Sequence, residues 1–279
     1  MNLANNSKSY SHYTLTLGKF IMRQLKSLVS IVIAGLFIAG CSSSKDDIKN
    51  LPSQKLFEQA QTYLKEENYS SAVRYLEAVD GRFREGQYRE QTQLDLIYAY
   101  YKMAEYYQTI EMADRFVRSN PYSDKMDYVY YIVGLANVRL GDNFIQDFFK
   151  VNRSSRAVKS VRDAYGTFQV LVQRFPNSQY AAEAQQWMIY LKNRLAEHEL
   201  EIVKYYQKRK AYVAMANRVE EMIHYYPDCK ATVDALPYLQ TAFENMGIQD
   251  SAQKTADLIK STKEQKFETP KRPEYREEF

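Results

Sequence analysis

Glycine is scarce in this chain. Of nine glycines in 279 residues, only those at positions 81, 86, 134, 141, 166 and 247 follow residue 40. Alongside 25 tyrosines and 13 phenylalanines, that scarcity points to long helices packed through aromatic side chains. The two cysteines, Cys41 and Cys229, exclude a disulfide framework. A surplus of one charge is also missing from most of the chain. Lys and Arg total 38 against 34 acids, and the four extra cations (Lys8, Lys19, Arg23 and Lys26) all lie in the first forty residues, which carry no acid. The remainder is formally neutral, so the basic pI of 8.7 is poor evidence for a nucleic-acid binder, which needs clustered cations to displace counterions. With 45% hydrophobic and 26% charged residues, disorder throughout is excluded.

Long apolar runs are absent too, with one short exception. Arg23 and Lys26 precede an apolar stretch from Leu28 to Ile38, which ends in Ile38-Ala39-Gly40-Cys41. Charged region, short apolar region and small-residue cleavage site follow in the order of an export signal, and the stretch is too short to span a bilayer as a stable helix. The junction resembles a bacterial lipobox. That resemblance implies cleavage after Gly40 and a diacylglyceryl group plus an N-acyl chain on Cys41, with no other cofactor. Ser42 stands where an Asp would resemble an inner-membrane retention signal, so the outer membrane is the expected destination, and several acyl chains anchor firmly where one is marginal. Residues 1–40 are therefore expected to be the signal, with 1–21 an over-extended gene start before Met22. Residues 41–52 are expected to be a polar, lipidated tether.

From Leu56 onward apolar residues recur at helical spacing in pairs of segments. Leu56 to Leu64 pairs with Tyr69 to Val79, and Leu94 to Tyr101 with Thr109 to Val117. Val129 to Leu140 pairs with Ala157 to Phe175, Ile202 to Tyr206 with Tyr212 to Tyr226, and Leu236 to Phe243 with Ala252 to Ile259. Pro121, Pro176 and Pro227 each follow a second segment, where proline cannot continue a helix. The units resemble the tetratricopeptide repeat, with Ala60, Tyr63, Tyr69, Ala72 and Leu76 at matching positions in the first and Phe243, Gly247, Ala252 and Ala256 in the last. Gly134, Ala164, Phe168 and Pro176 match in the third. The fold class is thus all-α, a helical-hairpin solenoid of about five repeats. Residues 53–140 form an amino-terminal repeat region and 141–260 a carboxy-terminal one. Thr109 and Met215 replace the small second-helix residue of the second and fourth units, which predicts less regular packing there. A long helix from Ala181 through Trp187 to about Tyr205 is expected to bridge the two halves, and Phe144, Phe148 and Phe149 to form a local core. The tail 261–279, with Pro270 and Pro273 and balanced charge, reads as disordered.

Catalytic and metal motifs are missing. There is no Gly-rich phosphate loop, nucleophile elbow or His-Glu-x-x-His motif. His198 and His224 lack metal-ligand spacing to a second His or Cys, and His198 sits among Glu197, Glu199 and Glu201, which reads as a solvated helix face. Cys229, beside Asp228, lacks activating cations and reads as a small residue at a helix start. Two basic clusters stand out, Arg153, Arg156, Lys159 and Arg162, and then Lys204, Lys208, Arg209 and Lys210. In a neutral exported chain they suit solvated faces or acidic protein partners better than RNA.

Four segments carry a more specific resemblance: Gln93-Leu94-Asp95-Leu96-Ile97-Tyr98-Ala99-Tyr100-Tyr101-Lys102, Phe148-Phe149-Lys150-Val151-Asn152-Arg153-Ser154-Ser155-Arg156, Phe175-Pro176-Asn177-Ser178-Gln179-Tyr180 and Asn217-Arg218-Val219-Glu220. With the lipobox, they make the chain from Leu56 to Ile259 similar to the tetratricopeptide lipoprotein family of the outer-membrane β-barrel assembly machine. The resemblance implies five repeats, attachment to the periplasmic face of the outer membrane and no enzymatic activity. The implied partners are the membrane-proximal periplasmic domain of the barrel-forming subunit BamA, smaller lipoprotein subunits and unfolded outer-membrane proteins. On it, Asn217, Arg218 and Glu220 are partner-binding residues, with Arg218 contacting the barrel-forming subunit, while Phe83 and Gly86 engage substrate. Ser70 stands where members often have arginine. Another periplasmic repeat lipoprotein, coordinating envelope or peptidoglycan processes, would share leader and hairpins but lack the four segments. A helical peptidoglycan lyase would need a further catalytic domain, for which residues 261–279 leave no room.

Overall fold

The computed structural model describes residues 45–82, 86, 88–142, 151–268 and 270–276. The chain divides into two units, one ending at Leu56 and the other beginning at Phe57. The described part of the first unit holds a short helix, α1 (Lys45–Asn50), and the first turn of α2 (Ser53–Lys65), where the Leu56 N–H donates to the Pro52 carbonyl at 3.1 Å. A helix thus lies inside the segment expected to be only a polar tether.

The second unit is a series of antiparallel helices. They are the rest of α2, then α3 (Tyr69–Arg82), α4 (Arg89–Lys102), α5 (Tyr106–Ser119), α6 (Met126–Gly141), α7 (Val151–Arg174), α8 (Ala181–Lys208), α9 (Tyr212–Tyr225), α10 (Lys230–Asn245) and α11 (Gln249–Thr262). They pair as five hairpins, α2–α3, α4–α5, α6–α7, α8–α9 and α10–α11, in a tetratricopeptide-like array without strands among the described residues. The sequence placed the start of α10 at Leu236. The helix begins at Lys230 and carries Pro237 within it.

The hairpin turns repeat in atomic detail. Glu67, Ala104, Lys210 and Gly247 each adopt a left-handed backbone, with φ of 56°, 60°, 55° and 77°. In each turn the left-handed residue donates its N–H to the carbonyl three residues back, as Ala104 does to Tyr101 at 3.0 Å. The next residue donates to the carbonyl five back, as Asn68 does to Tyr63 at 2.9 Å and Ile248 to Phe243 at 2.9 Å. These are the paired bonds that satisfy orphan carbonyls at a helix end. Glycine meets the geometry without strain only in the last turn, since a side chain in this region costs about 1–2 kcal/mol. Between hairpins, Asn120, Phe175 and Tyr226 close their helices with N–H bonds of 2.8 Å to Phe116, Leu171 and Met222, immediately before Pro121, Pro176 and Pro227.

Two apolar cores meet along α8, while the first two hairpins bury side chains of their own, among them Ala72, Leu76, Leu96, Ile97, Ala113 and Phe116. The first gathers Tyr131, Leu135, Val161, Ala164, Phe168, Leu171 and the amino-terminal half of α8 at Trp187, Leu191 and Leu195. The second gathers the other half of α8, at Ala196, Leu200 and Val203, with Met215, Val219, Met222, Ala235 and Leu239. The expected bridging helix is therefore one continuous element shared by both cores. Thr109 and Met215 are wholly buried, and the Thr109 hydroxyl returns to the Glu105 carbonyl at 3.0 Å. At Gly134 two helices approach closely: a methyl there would lie 2.3 Å from the Phe168 ring, which in turn lies parallel to Trp187 with centroids 6.4 Å apart.

The tail departs from its expected disorder. Beyond α11, residues 270–276 run without helix or strand and pack on α6 and α8, with Arg272 reaching Asp142 at 2.5 Å, Tyr275 lying 5.1 Å from Trp187, and Arg276 reaching Glu183 at 3.4 Å. Composition alone misleads here, because these charges have fixed partners and the aromatic ring has a seat. Phe144, Phe148 and Phe149 lie outside the described residues.

Gly134→Ala is expected to cost about 1–3 kcal/mol, the range for overpacking a filled core, and to lower the midpoint of urea unfolding followed by circular dichroism. Gly247→Ala should cost ~1 kcal/mol, whereas Ala104→Gly should be neutral or stabilising by a similar amount, because it relieves the same backbone strain. An Ala104→Gly variant less stable than wild type would show that this turn is not strained.

Candidate functional site

The carboxy-terminal candidate, Asn217-Arg218-Val219-Glu220, lies on α9. Val219 is fully buried in the second core, which fixes the helix phase and leaves Asn217 and Glu220 exposed. Arg218 sits at the edge of that face, 30% exposed, with its Nη1 3.0 Å from Glu221 Oε2 and 3.1 Å from Glu199 Oε2. Glu199 is 4% exposed, and on its other side Arg162 Nη2 donates to Oε1 at 3.1 Å. The contact from Arg218 is an ion pair lying off the hydrogen-bond direction, while the one from Arg162 is a directed bond. A buried carboxylate needs such compensation, because an unpaired charge away from water is strongly destabilising.

This corrects the solvated-face reading of the acidic run on α8. Glu197 and Glu201 are half-exposed and pair locally with Arg194 at 2.8 Å and Lys204 at 2.6 Å, but Glu199 points inward. Burial pushes the His198 imidazole below its ordinary value, and the nearby Glu199 only partly offsets that, so the ring is neutral at pH 7.

Members of the two basic clusters, far apart in sequence, meet here. Lys159 and Arg162 from α7, Lys204 and Lys208 from α8, and Arg218 from α9 line one groove of about 1030 Å³ with Tyr205 and Tyr238. Lys159 pairs with Asp163 at 2.5 Å, and Lys208 has no ion-pair partner among the described residues. Sequence reasoning named both clusters but missed that Lys159, Arg162, Lys204 and Lys208 share a groove with Arg218. The signal was present in their helical spacing, but only the packing of α7 against α8 brings them together.

Of the substrate candidates, Phe83 lies outside the described residues. Gly86 is exposed, with open space where a side chain would go. Nearby, Tyr88 stacks on Phe57 at 4.7 Å, Tyr63 meets Tyr75 at 5.3 Å, and Tyr69 meets Tyr98 edge-on at 5.8 Å. Lys102 lies over both Tyr69 and Tyr98, 5.7 and 5.9 Å from their centroids. Tyr69 therefore belongs to the joint between the first two hairpins. Ser70 is exposed beside Asn68, whose side-chain oxygen accepts the Ser71 N–H at 3.2 Å and caps α3. Cys41 lies outside the described residues.

Two of the remaining segments hold the array together. Gln93 accepts bonds from Ser119 at 3.2 Å and Asn120 at 2.9 Å, and Asp95 accepts from Gln61 and Gln91 while burial raises its carboxyl above the usual range. Ser178 donates to Asp127 at 2.6 Å, and Tyr180 stacks on Tyr131 at 4.6 Å. No group of His, Cys, Asp and Glu able to hold a metal ion occurs among the described residues, and no described helix is long and apolar enough to cross a membrane.

Five hairpins, four of them with one described turn geometry, together with a buried ion cluster and open grooves, define a tetratricopeptide-like solenoid. The model of an outer membrane lipoprotein family, YfiO, matches residues 49–258, and the chain belongs to that family. It is 48% identical to the outer membrane protein assembly factor BamD of Pasteurella multocida, over 91% of this chain and 98% of that protein. It is 45% identical to the BamD of Haemophilus influenzae, over 90% and 96%, and 39% identical to that of Vibrio cholerae, over 83% and 96%.

Cys229, at the start of α10, is wholly buried, and burial, followed by the neighbouring Asp228, pushes its thiol up to about 11. At pH 8 only about one thiol in a thousand is then the reactive thiolate. In a Cys41→Ser chain, Ellman's reagent should leave Cys229 unmodified under native conditions and titrate it fully in guanidinium. Rapid stoichiometric labelling of the native protein would contradict the buried placement.

Proposed function

We propose that this protein is a non-enzymatic scaffold subunit of the outer-membrane β-barrel assembly complex, held at the periplasmic face of the outer membrane by lipid on Cys41. The observation that carries the reading is near-complete coverage of relatives named as outer membrane protein assembly factors, two of them at 48% and 45% identity. The leader and the hairpin array support it.

In this reading the carboxy-terminal hairpins, from residue 141 to 260, face the barrel-forming subunit BamA through its membrane-proximal periplasmic domain. The groove rimmed by Arg218 is the contact. Its excess of cations suits an acidic partner surface, and charge complementarity of this kind fixes orientation and speeds encounter. Arg218 is already polarised toward carboxylates, and its partial exposure leaves room for a further, two-pronged bond to a partner's acid. The exposed Asn217 and Glu220 flank it. The amino-terminal hairpins, from 53 to 140, receive unfolded outer-membrane proteins near Phe83 and Gly86, where tyrosines suit extended segments with alternating apolar side chains. Smaller lipoprotein subunits complete the assembly.

Capture of the acylated protein from membranes, with identification of co-purifying subunits, tests the assembly role. Recovery without any barrel-forming subunit would sink it. The contact itself is tested by Arg218→Leu, which should weaken binding to that subunit at least about tenfold, or ~1.4 kcal/mol. Because Arg218 also compensates Glu199, this variant should lose some stability as well. The double variant Arg218→Leu/Glu199→Gln removes the orphaned charge, so it should regain the melting temperature while binding stays weak. Recovery of binding along with stability would mean that Arg218 is a structural residue only.

A further inference from the structure

Residues 270–276 occupy a cradle built by the first helices of the third and fourth hairpins. Tyr275 lies beneath the Arg139 guanidinium, 3.4 Å from its ring centroid, and 5.1 Å from the Trp187 ring, and its hydroxyl donates to Asp142 Oδ2 at 3.0 Å. Arg272 reaches the other oxygen of Asp142, and Arg276 pairs with Glu183 while lying over Tyr180, 5.2 Å from its centroid. The seat thus recognises a pattern: a base, an aromatic three residues on and a second base, along an extended backbone. Pro270 and Pro273 favour that extended form before the segment docks.

The way the segment is held differs from the way the helices hold one another. Among the described residues, no backbone hydrogen bond ties residues 266–276 to the array. The two arginines are 42% and 34% exposed, and ion pairs so open to water contribute little. Most of the attachment rests on one ring. The surface beneath is held by the array itself: Trp187 stacks on Phe168 and Tyr131 on Tyr180, the Tyr131 hydroxyl donates to Glu183, and Arg139 pairs with Asp142 at 4.0 Å. A preformed aromatic and acidic seat covered by a loosely attached strand is the arrangement of a binding site occupied by its own chain.

We propose that this cradle is a second peptide-binding site, for an extended partner segment of the pattern base-x-x-aromatic-base, and that the tail occupies it in cis as a displaceable stand-in. The site is chemically distinct from the cationic Arg218 groove, which suits acids. A tethered occupant has a high effective concentration even when its own affinity is modest, so it sets the threshold that a partner segment must exceed.

Trp187 is the chain's single tryptophan, so its emission reports directly on the seat. In the full-length chain, Tyr275→Ala/Arg276→Ala should leave helical circular dichroism unchanged and shift Trp187 emission to the red. Adding a synthetic peptide of residues 268–276 should restore the wild-type spectrum saturably. The wild-type chain should need at least tenfold more of the same peptide labelled for anisotropy, and a peptide carrying Tyr275→Ala should not bind either chain. The milder Arg276→Gln chain should fall between the two. Unchanged emission in the double variant would show that the tail does not cover Trp187. Loss of helical signal, or failure of the peptide to bind the opened chain, would show that the tail is a fixed part of the core. Either result overturns the proposal.

Discussion

One helix serving two cores is the constraint from which the rest of this structure follows. α8 turns its first half toward Phe168 and Leu171 and its second toward Met215 and Val219, so the apolar stripe must pass from one set of neighbours to another along a single axis. At the passage point stands Glu199, a carboxylate 4% exposed. Its burial draws Arg162 from one side and Arg218 from the other. Those arginines in turn set the floor of the cationic groove. The candidate contact surface is therefore a by-product of how two cores are joined, not an addition to a finished scaffold.

The hairpins were legible in the sequence because their signals are local. Apolar spacing gave the helices, and Pro121, Pro176 and Pro227 marked the breaks between them. Gly134 and Phe168 were recognisable as repeat positions, though not that the ring presses on bare backbone. Three things escaped. Glu197, Glu199 and Glu201 look equivalent in a row of acids, and only the phase of α8 against α7 and α9 decides that the middle one is buried. Apolar spacing began α10 only at Leu236, yet the helix starts at Lys230 and accommodates Pro237 internally. The tail has the composition of a disordered segment, and its docking depends on Trp187 and Arg139, which lie far away in sequence. Arg218 was placed by resemblance; its intramolecular partners were visible only in three dimensions.

The array also shows how one repeated unit can carry unlike chemistry. The first hairpins meet through tyrosines, including Tyr69 against Tyr98. The cradle on α6 and α8 joins aromatic rings to the acids Asp142 and Glu183. The groove between α7, α8 and α9 carries more cations than acids along its lining. Each surface borrows its geometry from helix packing and its character from a few exposed positions. A solenoid can thus vary its surfaces without disturbing its core.

The left-handed residues Glu67, Ala104 and Lys210 bear on how the molecule folds. A side chain that resists this conformation weakens the local preference for the turn that its two backbone bonds supply, so each of these reversals leans more on contacts from adjoining hairpins. In a one-dimensional chain of units, intrinsic stability is then low and coupling between neighbours high, which widens the cooperative block. Because α8 is shared by two cores, the hairpins on either side of it are expected to unfold as one block rather than one by one.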